Sequence, residues 1–184
     1  MGRANEVFSK DIYRYYGTFR EPFLKRLFRP LELRYLYYLR RCNQPGMPRA
    51  LVCYYKLRLR LLSRKTHIQI GSTTQIGEGF YIGHYGRLLI NHQAVLGRNV
   101  NVATGVTIGE TARGPKKGAP IIGDDVWIGT NAVVVGKVRI GNDVLIAPLT
   151  FVNFDVPDHS IVIGNPGRII PREGATEGYL QNRV

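Results

Sequence analysis

Hydrophobic and polar positions along the chain follow two different rules. From Ile70 onward a branched aliphatic returns every sixth residue: Ile70, Ile76 and Ile82, then, after a two-residue slip at Leu88-Leu89, Ile90, Leu96, Val102 and Ile108. A longer excursion follows, and the series resumes with Ile122, Ile128, Val134, Ile140, Ile146 and Val152. The residue after each aliphatic is mostly Gly or Ala, and four positions after it many hexads carry another small or branched residue, such as Ala94, Val100, Val126 and Val144. A period of six suits a chain that turns a corner every six residues, each aliphatic pointing to the axis of a triangular prism. Small residues are expected where those corners need positive φ or close backbone approach. With three hexads to a coil, residues 70–157 predict about four to five coils of parallel β-helix, whose handedness the pattern alone does not set.

Before Thr66 the grammar is helical. Basic residues interleave with Leu and Tyr in "FLKRLF", "LELRYLYYLRR" and "LVCYYKLRLRLLSRK", punctuated by Pro22, Pro30, Pro45 and Pro48. This predicts three or four short amphipathic helices. "KLRLRLL" alternates with period two and fits either a helix or a strand leading into the repeats. The chain therefore divides into a basic helical segment (1–65), a β-helix (66–170) and a C-terminal tail (171–184).

Charge sharpens the division. Residues 1–65 hold 16 of the 26 Lys and Arg but only four of the 13 acids, while residues 66–184 are nearly balanced. A solvated helical face, a surface for anionic lipid and a nucleic-acid site all fit such charge. No nucleic-acid motif accompanies it, so nucleic acid is not expected as a partner. There is neither a basic-then-apolar leader nor an uncharged apolar run of spanning length, which leads us to expect a cytoplasmic protein, in peripheral contact with the inner face of the membrane where its basic segment meets lipid. Cys42 and Cys53 form no metal-type spacing and are expected to be buried thiols.

The hexads resemble those of the left-handed parallel β-helix acyltransferases, from Ile70 to about Ile170. Within that group, "IGEGFYIGHYG", "LLINHQAVLGRNVNVATGVTIGET" and "VPDHSIVIGNPGRII" are similar to the serine acetyltransferase branch and its relatives from capsule and exopolysaccharide clusters. The resemblance implies a mainly β fold, a left-handed helix capped by the N-terminal α-helical segment, a homotrimer, acetyl-CoA as donor, and active sites in the clefts between neighbouring prisms.

It also implies site residues. His84 stands where the family's general base stands, and a neutral imidazole suits removal of a proton from an attacking alcohol. Asn91 and His92 in "INHQ" are candidate acceptor contacts. Carbonic-anhydrase-like zinc enzymes share the fold, but His67, His84, His92 and His159 lack their close histidine pair, so no metal is expected. The serine enzymes orient the base with an aspartate fifteen residues earlier and place another directly before it; here those positions hold Gln69 and Gly83. Their Arg-His pair before a Pro-Lys-Ile turn is replaced by Gly118-Ala119, which removes a donor fork for a carboxylate. Arg113, Lys116 and Lys117 in the excursion either substitute for it or form a mobile basic loop. Arg168 in "GNPGRII" and Lys137 are candidates for the phosphates of acetyl-CoA, and Gly129 and Ala147 for the path of its pantetheine arm. The leading expectation is O-acetylation of a capsular or extracellular polysaccharide sugar, with L-serine O-acetylation as the alternative; a zinc hydratase and a non-catalytic scaffold are rivals from other classes.

Overall fold

The computed structural model describes residues 3–21 and 23–184; Pro22, read as a break, lies outside them. Four helices open the chain: α1 (Arg3–Tyr16), α2 (Phe23–Leu27), α3 (Leu31–Cys42) and α4 (Arg49–Thr66). Pro30 and Pro48 stand at the N-caps of α3 and α4, where a fixed φ and a missing N–H cost nothing. "KLRLRLL" is helical throughout, within the 18 residues of α4, with Leu59 buried and Leu57 and Leu61 exposed. His67 ends that helix in a left-handed conformation, its N–H donating to the Ser63 carbonyl.

The repeats then wind a left-handed β-helix of about five turns. The first coil is β1 (Ile68–Ile70), β2 (Gln75–Ile76) and β3 (Tyr81–Ile82); the second is β4 (Leu88–Ile90), β5 (Val95–Leu96) and β6 (Asn101–Val102). The third is β7 (Thr107–Gly109), β8 (Ile121–Ile122) and β9 (Val126–Ile128), and the fourth β10 (Val133–Val135), β11 (Arg139–Ile140) and β12 (Val144–Ile146). The last holds β13 (Phe151–Val152) and β14 (Ser160–Ile163), to which β15 (Arg168–Pro171) adds antiparallel. Each prism face is one parallel sheet: β1-β4-β7-β10-β13, then β2-β5-β8-β11, then β3-β6-β9-β12-β14 with β15 at its edge. We call these the first, second and third faces.

The repeating aliphatics from Ile82 to Val152 are buried along the axis, and so are Ala94, Val100, Val126, Ala132, Val138 and Val144. The regular step between stacked partners is 18 positions, as from Val133 to Phe151. Three departures occur, all at corners or between strands. Ile68 pairs with Leu88, two positions beyond the regular step; Val95 pairs with Ile121, eight beyond; Val144 pairs with Ser160, two short. The first departure corrects the sequence reading. Leu88 and Leu89 are ordinary strand residues, Leu88 being buried like its partner Ile68, and the two extra residues lie in the corner 83–87 before them.

The small residue after each aliphatic serves close approach. At the corner between the second and third faces, Gly77, Gly97, Gly123 and Gly141 stack in a column, and a Cβ on Gly97 would lie 2.6 Å from the Gly123 carbonyl carbon. Positive φ falls two residues later instead, at Gly79, Asn99, Asp125, Asp143 and His159 on that corner and at Gly105, Asn131 and Leu149 on the next. Asn and Asp recur there because they tolerate the left-handed region; Leu149, exposed and unsupported by such chemistry, is the outlier.

The helices cap the first coil through a buried ion pair. Asp11 on α1 accepts from Arg40 on α3 at 2.8 and 3.0 Å, and Arg40 also donates to the Ile76 and Gly77 carbonyls, both at 2.6 Å. Burial pushes the Asp11 carboxyl up, and Arg40 and the Phe80 and Gly79 amides pull it back only in part. Arg40→Met would strand a buried carboxylate and is expected to cost about 3–5 kcal/mol in thermal or denaturant unfolding.

The tail climbs the outside of the third face. Thr176 and Ala175 donate to Asp143, Tyr179 packs on Trp127, Val184 bonds with Asn99, and the Gln181 carbonyl accepts from Arg14 of α1. Burial of Arg14 lowers its guanidinium to about 10. Partial burial alone would raise the Asp143 carboxyl, but hydrogen bonds from His159, Thr176 and Ala175 hold it at about 2, below the ordinary 3.8. An acid depressed by folding stabilises above its unfolded value and ceases to as pH falls through the folded one. Amide exchange in residues 175–184 should therefore accelerate between about pH 4 and pH 2. Asp143→Asn should show that looseness already at neutral pH.

Candidate active site

The corner 83–87 joins the third face to the first and carries the two-residue insertion. His84 lies on it and is exposed; among the described residues no group hydrogen-bonds its ring. The backbone on both sides is tied down. Tyr15 of α1 places its hydroxyl between the amide and carbonyl of Ile82, accepting at 3.1 Å and donating at 2.9 Å. Burial pushes that phenol well above its ordinary value, so it stays neutral and does both. Glu32 of α3, itself buried, accepts from the Tyr85 amide at 3.0 Å, and the Gly86 amide donates to the Thr66 carbonyl at 2.9 Å. The helical cap thus fixes the loop around a histidine whose side chain remains free.

Three other sequence-named residues share the His84 side of the prism. Gly129 and Ala147 occupy the same corner two and three coils further on, and Arg168 follows the turn that closes the last coil beside it. The amides of Gly129 and Ala147 already donate to the Ile146 and Val162 carbonyls, both at 2.8 Å, so neither has an N–H to offer a pantetheine arm. Gly129 is moreover covered by Pro148, whose nitrogen a Cβ would approach to 2.6 Å. Arg168 is exposed.

The remaining candidates stand on the next edge, between the first and second faces. Asn91 accepts from the Gln93 amide at 2.8 Å and so shapes its own turn. His92 is exposed beside it, its Cβ stacked over Gly71 of the coil before. The excursion 110–120 leaves from this edge as a small hairpin: Thr111 and Gly118 exchange both backbone hydrogen bonds at 3.0 Å. The hairpin folds along the edge, with the Lys116 carbonyl accepting from the Lys137 amide and the Lys116 ammonium reaching the Asn153 carbonyl. Arg113 and Lys117 project from it, exposed, and Lys137 lies against Gly118. The stretch is thus hydrogen-bonded both to itself and to the following coils.

Within one chain, then, His84 and the acceptor candidates are on different edges, separated by the first face. Among the described residues no group of three His, Cys, Asp or Glu is placed to hold a metal. His67 caps α4, and His159 bonds Asp143 at 2.9 Å and Glu173 at 3.2 Å. The thiols are not both buried as expected: Cys42 is half-buried, with burial raising it, and Cys53 faces outward from α4. Sequence reasoning missed Tyr15 and Glu32. Only one signal was available, Glu32 being the sole acid in "LELRYLYYLRR". Glu32→Ala should free the Tyr85 amide and speed hydrogen exchange across residues 83–87, leaving exchange in β9 and β12 unchanged.

Residues 119–153 match the bacterial transferase hexapeptide (six repeats) family. A serine acetyltransferase of Bacillus pumilus is 36% identical over 129 residues, which are 66% of this chain and 59% of that protein. The chain therefore spans about three-fifths of that relative's length. Serine acetyltransferase of Neisseria gonorrhoeae in complex with serine superposes with a TM-score of 0.70 at 27% identity, covering 91% of this chain and 68% of that one. Serine acetyltransferase of Brucella abortus in complex with coenzyme A gives a TM-score of 0.70 over 93% of this chain and 68% of that one; at 23% identity this likeness speaks to the fold. The chain thus carries hexapeptide repeats and is similar in sequence to serine acetyltransferases over about two thirds of its length.

Proposed function

We propose that the protein is an O-acetyltransferase that moves acetyl from acetyl-CoA to a hydroxyl, with His84 as general base. The observation that carries this is a histidine whose ring is unengaged on a corner that Tyr15 and Glu32 hold in place. Relatives named serine acetyltransferase support the reaction class. In the proposed step His84 takes the hydroxyl proton as the oxygen attacks the thioester carbonyl. The tetrahedral intermediate then collapses with cleavage of the C–S bond, and the proton passes to the departing thiolate. Arg168, and Lys137 from the other edge, are proposed to meet the phosphates of coenzyme A; Ala147 would line the arm's path by its small size alone, while Gly129 lies buried under Pro148.

A trimer completes this reading. Apposing the His84 edge of one prism to the edge between the first and second faces of its neighbour would bring Asn91, His92, Arg113 and Lys137 towards His84, completing a site that neither prism holds alone. The supply of acetyl-CoA would place the reaction in the cytoplasm.

The acceptor separates two readings. L-serine is the one the relatives' names favour. A capsular sugar, the leading expectation from sequence, rests on Gly118-Ala119, where this chain lacks donors for a free carboxylate. Thiol release from acetyl-CoA with L-serine at about 1–10³ per second would assign serine and end the sugar reading. Release only with a polysaccharide acceptor would do the reverse. With whichever acceptor turns over, His84→Ala should lower kcat by about 10²–10⁴ with the melting temperature unchanged, and full activity in that variant would refute the base.

A further inference from the structure

The helical cap keeps a large apolar surface in solvent, and the rest of the fold does not account for it. On α2 Phe23 and Leu24, with Leu27 and Phe28 following, are 66–82% exposed. Helix α4 buries only Leu59 and Thr66 among its residues, while Leu51, Tyr54, Leu57 and Leu61 are 46–56% exposed. At about 100° per residue these four fall in one arc of roughly 120°, and Arg49, Lys56, Arg60 and Arg64 fall in the adjoining arc. Arg58 and Lys65 fall inside the apolar arc, so the helix has three strips: one packed on α3, one of exposed leucines and a tyrosine with these two bases set among them, and one basic. Between α3 and α4 a groove of about 360 Å³ is lined by Arg29, Arg34 and Arg58 with Tyr37 and Tyr38. Arg29 is paired with Glu21 at 2.5 Å, but among the described residues no carboxylate pairs with Arg34 or Arg58.

We propose that α2 and the outer face of α4 seat the protein on an anionic lipid bilayer, with the leucines and phenylalanines among the acyl chains and the basic strip and groove on lipid phosphates. Charge selects this occupant. A second copy of the same surface would set Arg34, Lys56, Arg58, Arg60 and Arg64 against like charges, whereas an anionic leaflet complements them. No helix among the described residues is long and apolar enough to cross a membrane, so the contact lies on the surface. The structure also narrows the sequence-level segment 1–65: α1, with Phe8, Asp11 and Ile12 buried, belongs to the cap and not to the contact.

The test is co-sedimentation of the full chain with phosphatidylcholine vesicles with and without phosphatidylglycerol, at about 0.15 M salt. Wild type should bind only the anionic vesicles and progressively less as salt rises. Leu57→Glu with Leu61→Glu, both at exposed positions, should weaken binding at least about tenfold with an unchanged melting temperature. Arg34→Gln with Arg58→Gln should also weaken it, with a smaller salt response. His84→Ala should bind as wild type, so this inference and the proposed reaction fail independently. Absence of binding, equal binding to neutral vesicles, or binding indifferent to the Leu57/Leu61 variant would overturn the proposal. So would light scattering showing that the wild type self-associates through this face and the variant does not.

Discussion

Backbone-to-backbone contact between successive coils governs everything else in this molecule. Where Gly97 lies against Gly123, and Gly123 against Gly141, there is no room for a Cβ, and the parallel ladders on all three faces depend on that approach. A coil held this tightly above and below has no freedom to lengthen a strand. Extra residues must leave at a corner, and missing ones must be taken from a connection. The three departures from the regular step obey this: two at 83–87, eight at 110–120, and a shortening after β13. Two of them carry His84 and Arg113, and the third precedes the β14–β15 hairpin from which the tail starts.

This constraint also explains what was legible beforehand. One aliphatic in six and a tiny residue after it are direct imprints of axis and corner, so a parallel β-helix and its coil number could be read from spacing, while its left hand came only from the family resemblance. The reason for the tiny residue was only half right: close approach occurs at the Gly77-to-Gly141 column, while positive φ sits at Asn99, Asp125 and Asp143, where polar residues hide the signal. The slip near Leu88 was detected but placed in the strand, because two adjacent leucines look like an interruption; burial of Leu88 opposite Ile68 shows the interruption to be the histidine corner itself. His84 was legible through its motif. Glu32 and Tyr15 were not, since their relation to the corner exists only after α1 and α3 have docked, more than 50 residues away in sequence.

The cap and the tail do different mechanical work. Asp11–Arg40 clamps two helices to the open end of the first coil, satisfying the Ile76, Gly77 and Phe80 backbone groups that no coil above would reach. Through the same docking, Tyr15 and Glu32 come to the His84 corner, so capping and positioning are one event. The tail instead spans the third face lengthwise and returns to α1 at Arg14, linking the last coil to the cap. Neither support hydrogen-bonds the His84 ring itself, although the cap holds the backbone beside it.

That division bears on why the helical cap is so basic and its outer face so apolar. A cap needed only to close a β-helix would bury its leucines against the coil and show water a mixed polar surface, as α1 does with Phe8 and Ile12 inside. Helix α4 does the opposite with Leu57 and Leu61 while its Leu59 makes the packing contact. The alternation that made "KLRLRLL" resemble a strand is the mark of this arrangement: successive leucines are assigned to the core and to the outside, with arginines between them. A helix asked to satisfy two apolar surroundings and a charged boundary at once loses the simple period of a one-sided amphipathic helix.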